Sequence, residues 1–232
     1  MENTFEIISH HTYLSEICSI FATELTIMPT QSSIISKQIS ELDAGTVFFS
    51  SDLSDTGIKP SVIQKVLERE TNAGKIMRLG QGIYYRPKVD DVYGLGVIYP
   101  SLEEVARRLA ERDAVRIEPT GANAANLLGL STQVPMNLCF LTDGRTKEIK
   151  MNNGRTLKFI HAPLKNFTFT NRTLMLLTFA LKEIGKDHVL PEQTERIKKL
   201  LANIPLEQTK VDLKLMPAWI RNYILSFYDK VL

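Results

Sequence analysis

Between Lys59 and Lys88 the chain reads KPSVIQKVLERETNAGKIMRLGQGIYYRPK. A helical period breaks at a glycine and passes directly into two β-prone runs. Pro60 suits the first turn of a helix, where its missing N–H costs nothing. Val62/Val66 and Ile63/Leu67 form two i, i+4 pairs on one side, and Ser61, Gln64, Lys65, Glu68 and Arg69 occupy the other. Gly74 is the stop. Lys75–Leu79 and Ile83–Arg86 are then joined by Gly80-Gln81-Gly82, whose glycines permit the positive φ of a tight hairpin, and Pro87 closes the second strand.

The preceding residues extend this pattern. A helix is expected from Ser32 or Ser33, with Ile35, Ile39 and Leu42 on one face and Asp43-Ala44-Gly45 as its end. Thr46–Phe49 is a short β-rich run, and Ser50 or Ser51 can cap one helical turn through Leu53. In this order the elements predict a winged helix-turn-helix over residues 30–88. Charge agrees with that reading. Residues 59–88 carry seven Lys/Arg against Glu68 and Glu70, net +5, whereas residues 1–58 carry Lys37 against eight acids, net −7, and the whole chain is +2. A local basic patch is the footprint of a phosphate-binding face. The expected DNA-facing side chains are Lys59, Ser61, Gln64, Lys65 and Arg69 of the helix. Arg78 and Arg86 are expected to flank the hairpin tip, with Gln81 upon it.

Composition excludes several classes. No stretch approaches the roughly 20 apolar residues of a membrane helix, and Glu2, Glu6, Glu16 and Glu24 do not fit a signal peptide. Cys18 and Cys139 make no disulfide framework, so a cytoplasmic, reduced compartment is the expectation. His10, His11, His161 and His188 lack metal-ligand spacing, and neither metal nor cofactor is expected. Residues 1–29 predict a helical extension lined by Leu14, Ile17, Phe21 and Leu25 and ending near Met28-Pro29. It could pack on the winged module or mediate a dimer.

Residues 89–232 predict a second, α+β domain. Ser101-Leu102-Glu103-Glu104 is a capping box for a helix to about Arg112. Val115–Ile117 is a strand ending at Pro119, and Thr120 can cap the helix GANAANLLGL. Asn137–Leu141, Thr146–Lys150 and Thr156–Ile160 are separated by Asp143-Gly144 and Asn153-Gly154, which predicts a three-stranded antiparallel meander. Terminal helices follow at Arg172–Ile184, Glu192–Leu201 and Pro217–Tyr228, the last carrying Trp219, Tyr223 and Phe227 as core aromatics. Pro119–Asn123 and Asp143–Lys147 could each offer N–H groups to a phosphate, but neither carries a nucleotide-binding motif. No paired carboxylates or nucleophile arrangement points to an enzyme.

As an ordered set, KIMRLGQGIYYRP, RIEPTGANAANLLGLSTQVP and FLTDGRTKEIKMNNGRTLKFIHAP resemble the AbiEi-type antitoxins of type IV toxin–antitoxin (abortive infection) systems. The resemblance covers about residues 30–185. It implies an N-terminal winged domain that binds inverted repeats of its own operator in double-stranded DNA and represses transcription. It also implies a C-terminal domain counteracting a nucleotidyltransferase-like toxin, with or without direct contact. The antitoxin surface is then expected among Thr120, Asn123, Asn126 and Arg145, and a homodimer on DNA is possible. Two other readings stay open: a protein-interaction module that sequesters a partner, with the winged domain as scaffold, and a nucleotide-binding enzyme.

Overall fold

Thr30 starts the first helix, α1 (Gln31–Glu41), its Oγ1 accepting from the Ser33 N–H at 3.2 Å. The helix therefore begins slightly earlier than the Ser32/Ser33 pair indicates, because threonine satisfies the first-turn donors equally well. The computed structural model describes residues 30–228, without the side chains of residues 55 and 56. The N-terminal helix expected from Leu14, Ile17, Phe21 and Leu25 lies outside the described residues.

The chain forms two compact bodies. The described part of the first comprises residues 30–43 and 50–76. It holds α1, a 3-10 helix at Ser50–Thr56 that runs longer than the single turn expected, and α2 (Pro60–Asn72). Helices α1 and α2 pack together. Ile35 and Ile39 from one, and Ile63, Val66 and Leu67 from the other, are buried along with Leu53 and Ile58. Each such aliphatic side chain removed from water stabilises the body by roughly 1.5–3 kcal/mol.

The described part of the second body comprises residues 44–49 and 77–228. Strands β1 (Val47–Phe49), β2 (Met77–Gly80) and β3 (Ile83–Tyr85) form an antiparallel sheet in the order β1-β3-β2. A hairpin of β4 (Lys88–Asp90) and β5 (Gly96–Ile98) follows, tied back by the Tyr85 hydroxyl, which donates to the Ile98 carbonyl at 2.6 Å. Helix α3 (Leu102–Arg112) starts at Ser101, whose Oγ accepts from the Glu104 N–H at 3.1 Å. Val47, Phe49, Ile83 and Tyr85 share one core with Leu102, Val105, Ala106 and Leu109 of that helix.

A second sheet supplies the rest of this core. It contains β6 (Ile117–Pro119), β7 (Leu138–Thr142), β8 (Lys147–Lys150) and β9 (Thr156–His161), with α4 (Gly121–Leu127) between the first two. The order is β6-β7-β9-β8, and β7 runs parallel to β9. The expected antiparallel meander is therefore not formed. Strand β8, alternating between exposed and half-buried residues, takes the edge, while β7 and β9 pair in the middle and place Phe140 beside Phe159 at 5.8 Å between ring centroids. Burying those rings outweighs the local turn signal at Asp143-Gly144. Gly144 lacks the positive φ of a hairpin turn and sits where a Cβ would lie 2.7 Å from Val115 Cγ1. Gly154 has φ +80° with open space around it and does turn the β8–β9 hairpin.

Helix α5 (Arg172–Ile184) ends at Gly185, as its sequence predicts. Helices α6 (Pro191–Leu201), α7 (Leu206–Leu213) and α8 (Ala218–Tyr228) complete the chain. With α4 and α5 they build a second core, against which Leu141 of β7 and the rings of Trp219, Tyr223 and Phe227 pack. Helix α7 has no counterpart in the sequence reading. Its buried Asp212 accepts from the Thr170 and Asn171 N–H groups at 2.9 Å each, fixing the segment that leads into α5. The fold is a mixture of helices and small sheets, of α+β class.

Candidate functional site

The polar side of α2 is built by spacing. Ser61, Gln64, Lys65 and Glu68 stand at i, i+3, i+4 and i+7, so they form one stripe, and all four are exposed. Ile63, Val66 and Leu67 face inward and Val62 is half-buried. Pro60 occupies the first turn and Lys59, also exposed, precedes it. Among the described residues, the side chains of Ser61, Gln64 and Lys65 make no hydrogen bond within the protein. They present a hydroxyl, an amide and an ammonium to the outside.

Arg69 belongs to the same face but is engaged differently. Its Nη2 donates to Ser36 Oγ at 2.8 Å and to Glu70 Oε1 at 3.2 Å. Ser36 Oγ donates to the same carboxylate oxygen at 2.9 Å, and Lys75 Nζ lies 3.1 Å from Oε2. Glu70 is only 4% exposed. Burial pushes its carboxyl upward, but the hydrogen bonds from Ser36, Lys75 and Arg69 outweigh this and hold it below the usual carboxylate range. Arg69 thus clamps α2 to α1, which limits its freedom as a reader of an external ligand.

The hairpin residues lie in the second body. Gly80 pairs with Ile83, leaving Gln81 and Gly82 as a two-residue tip, and only Gly82 of the two flanking glycines has positive φ. A register shift between Arg78 and Gly80 bulges the strand. Gln81 is exposed at the tip. Arg78 is exposed on β2 opposite Tyr84, its Nε donating to the Gly80 carbonyl at 3.3 Å. Arg86 does not flank the tip. It follows the other end of β3, where its N–H donates to Thr46 O at 2.9 Å and its carbonyl accepts from Gly45 N–H at 2.8 Å, because β3 runs from the tip at Ile83 to Tyr85 and carries the next residue away from it.

Sequence reasoning passed over Asn152 as part of a turn. Its N–H donates to Leu79 O at 2.8 Å and its side-chain amide to Arg78 O at 2.8 Å, while Met151 bridges Gly80. The turn after β8 thereby fastens the outer edge of β2. Nothing local marks Asn152 for this, since its partners lie over seventy residues away.

Of the four residues expected to mark an antitoxin surface, one is buried. Asn123 is 3% exposed, and its Nδ2 has no hydrogen-bond partner. The Asn126 amide donates to the Ser131 and Gln133 carbonyls at 3.2 and 3.0 Å, shaping its own loop. Thr120 precedes α4 half-buried, without a side-chain capping bond. Arg145, in the loop between β7 and β8, is the exposed member. The short helix α4 packs its alanines against α5, which turns Asn123 inward. Among the described residues no three His, Cys, Asp or Glu side chains are grouped to hold a metal ion, and no helix is long and apolar enough to cross a membrane.

A family of unknown function, DUF6088, matches residues 34–209. The chain belongs to that family. The DUF6088 match takes in most of α1, all of α2 and all three sheets. No curated protein matches this DUF6088 chain. Among solved structures, the crystal structure of the RV2827C protein from Mycobacterium tuberculosis is similar, at 14% identity and a TM-score of 0.48, over 86% of this chain and 78% of that one.

Proposed function

We propose that residues 30–88 act as a winged helix-turn-helix and that the chain is a DNA-binding autorepressor and antitoxin of the AbiEi type, counteracting a nucleotidyltransferase-like toxin. The observation that carries the DNA-binding part is the stripe of α2, with Ser61, Gln64 and Lys65 unengaged above a buried apolar face. The element order α1, β1, 3-10 helix, α2, β2, β3 and the sheet order β1-β3-β2 support this reading. In this reading α2 reads base edges in the major groove, while Arg78 and Gln81 contact the backbone. Fluorescence anisotropy on the native upstream duplex and a scrambled one, at two salt concentrations, tests it. Preference for the native duplex by ~10³-fold or more, weakened by salt, is the expected result. Equal binding to both duplexes overturns sequence-specific repression.

A second reading, a partner-sequestering module, is favoured by the β4–β5 hairpin. Val92 is 84% exposed, Tyr93 82% and Leu95 70%, and contiguous exposed apolar side chains mark interaction surfaces. Co-purification of the adjacent gene product with the chain, lost on Tyr93→Ser, would support it. Co-purification unaffected by Tyr93→Ser removes the hairpin from that role.

A further inference from the structure

Beside β2, within the second body, lies a cavity of about 320 Å³, at the small end of the range for ligand pockets. Leu102, Val105 and Met151 give it an apolar lining, Tyr99 adds an aromatic ring, and Arg78 and Arg155 bring two guanidinium groups. No Asp or Glu lines it. Each arginine is held by Nε alone: Arg78 to Gly80 O at 3.3 Å, Arg155 to Met136 O at 2.9 Å. Among the described residues neither forms an ion pair, so their Nη groups keep their donors for something else. An anion in this space would meet both guanidinium groups and no carboxylate. Guanidinium forks match the geometry of phosphate oxygens.

We propose that this cavity binds a small phosphate monoester with a planar body, a nucleoside 5′-monophosphate. The phosphate takes the two arginines, and the base lies by Tyr99 over Leu102, Val105 and Met151. The volume suits one nucleotide. Because Arg78 is also the hairpin cation assigned to DNA, occupancy competes with duplex binding; this coupling rests on the DNA-binding reading, whereas the site itself does not.

The test is calorimetric titration of the full chain without DNA, using AMP, GMP, CMP and UMP, with inorganic phosphate and adenosine as separate arms. At least one monophosphate is expected to bind with a Kd below about 1 mM and ~10-fold tighter than phosphate or adenosine, a difference of about 1.4 kcal/mol. Arg155→Ala weakens it ~10-fold or more, and Arg172→Ala, at an exposed position outside the cavity, leaves it unchanged. Since Arg155 also holds a backbone carbonyl, Tyr99→Ser at the exposed position (62% exposed) provides a second variant, expected to weaken binding at an unchanged Tm. Absence of monophosphate binding, equal binding of phosphate alone, or wild-type affinity in both variants overturns the proposal. A chain that binds its duplex but no monophosphate refutes this inference alone. A chain that binds a monophosphate but no duplex refutes the DNA-binding reading and keeps the site.

Discussion

The side-chain amide of Asn152 donates to the backbone carbonyl of Arg78 at 2.8 Å, closing the free edge of β2. Asn152→Ala removes that bond while the Asn152 N–H can still reach Leu79 O. The expected cost is about 1 kcal/mol, read as a lower urea midpoint at unchanged slope. Faster amide exchange in the β2–β3 hairpin should accompany it. An unchanged midpoint would show that the backbone bonds alone hold the edge.

Glu70 links stability to pH. A carboxyl held below its unfolded value of about 4.3 contributes stability that is fully present above that pH and disappears as pH falls through the folded value. Wild-type stability should therefore decline in the acid range below about pH 4–5. Glu70→Gln should cost about 1–3 kcal/mol at pH 7 and flatten the acid decline. Urea midpoints across pH 3–7 check both, and a variant with the wild-type pH profile would show that Glu70 is not the responsible group.

Gly144→Ala should destabilise by overpacking. The added Cβ would meet Val115 Cγ1 at 2.7 Å, and forcing extra volume into a packed site costs about 1–3 kcal/mol. Val115→Ala in the same chain should recover part of the loss, which thermal unfolding of the single and double variants can show.

Gln64→Ala and Arg78→Ala separate sequence readout from backbone contact. Removing Arg78 should weaken native and scrambled duplexes alike and reduce the salt slope by about 1. Removing Gln64 should cost about 1–3 kcal/mol on the native duplex and little on the scrambled one. Equal losses on both duplexes for both variants would refute this division.

Where a signal is short-range, the sequence carried it. The inward face of α2 and the limits of α5 follow from helical spacing, Pro60 and Gly185. Asp143-Gly144 and Asn153-Gly154 look alike in the sequence, yet one glycine serves close packing on Val115 and the other a positive-φ turn. That distinction depends on what arrives from elsewhere in the chain. The parallel pairing of β7 with β9 and the hold of Asp212 on the Thr170 and Asn171 N–H groups are non-local in the same way. The candidate site divides along this line. The stripe of Ser61, Gln64 and Lys65 was legible, whereas the diversion of Arg69 to Ser36 and Glu70, and the inward turn of Asn123, depend on distant partners.

Strands β1, β2 and β3 lie in the second body, even though the chain reaches them by leaving and re-entering the α1–α2 body. Their apolar face, Val47, Phe49, Ile83 and Tyr85, is covered by α3 and the second sheet. Recombination has no clean seam here. A gene segment encoding residues 30–88, spliced into another protein, would bring along half-wrapped strands with nothing to cover them.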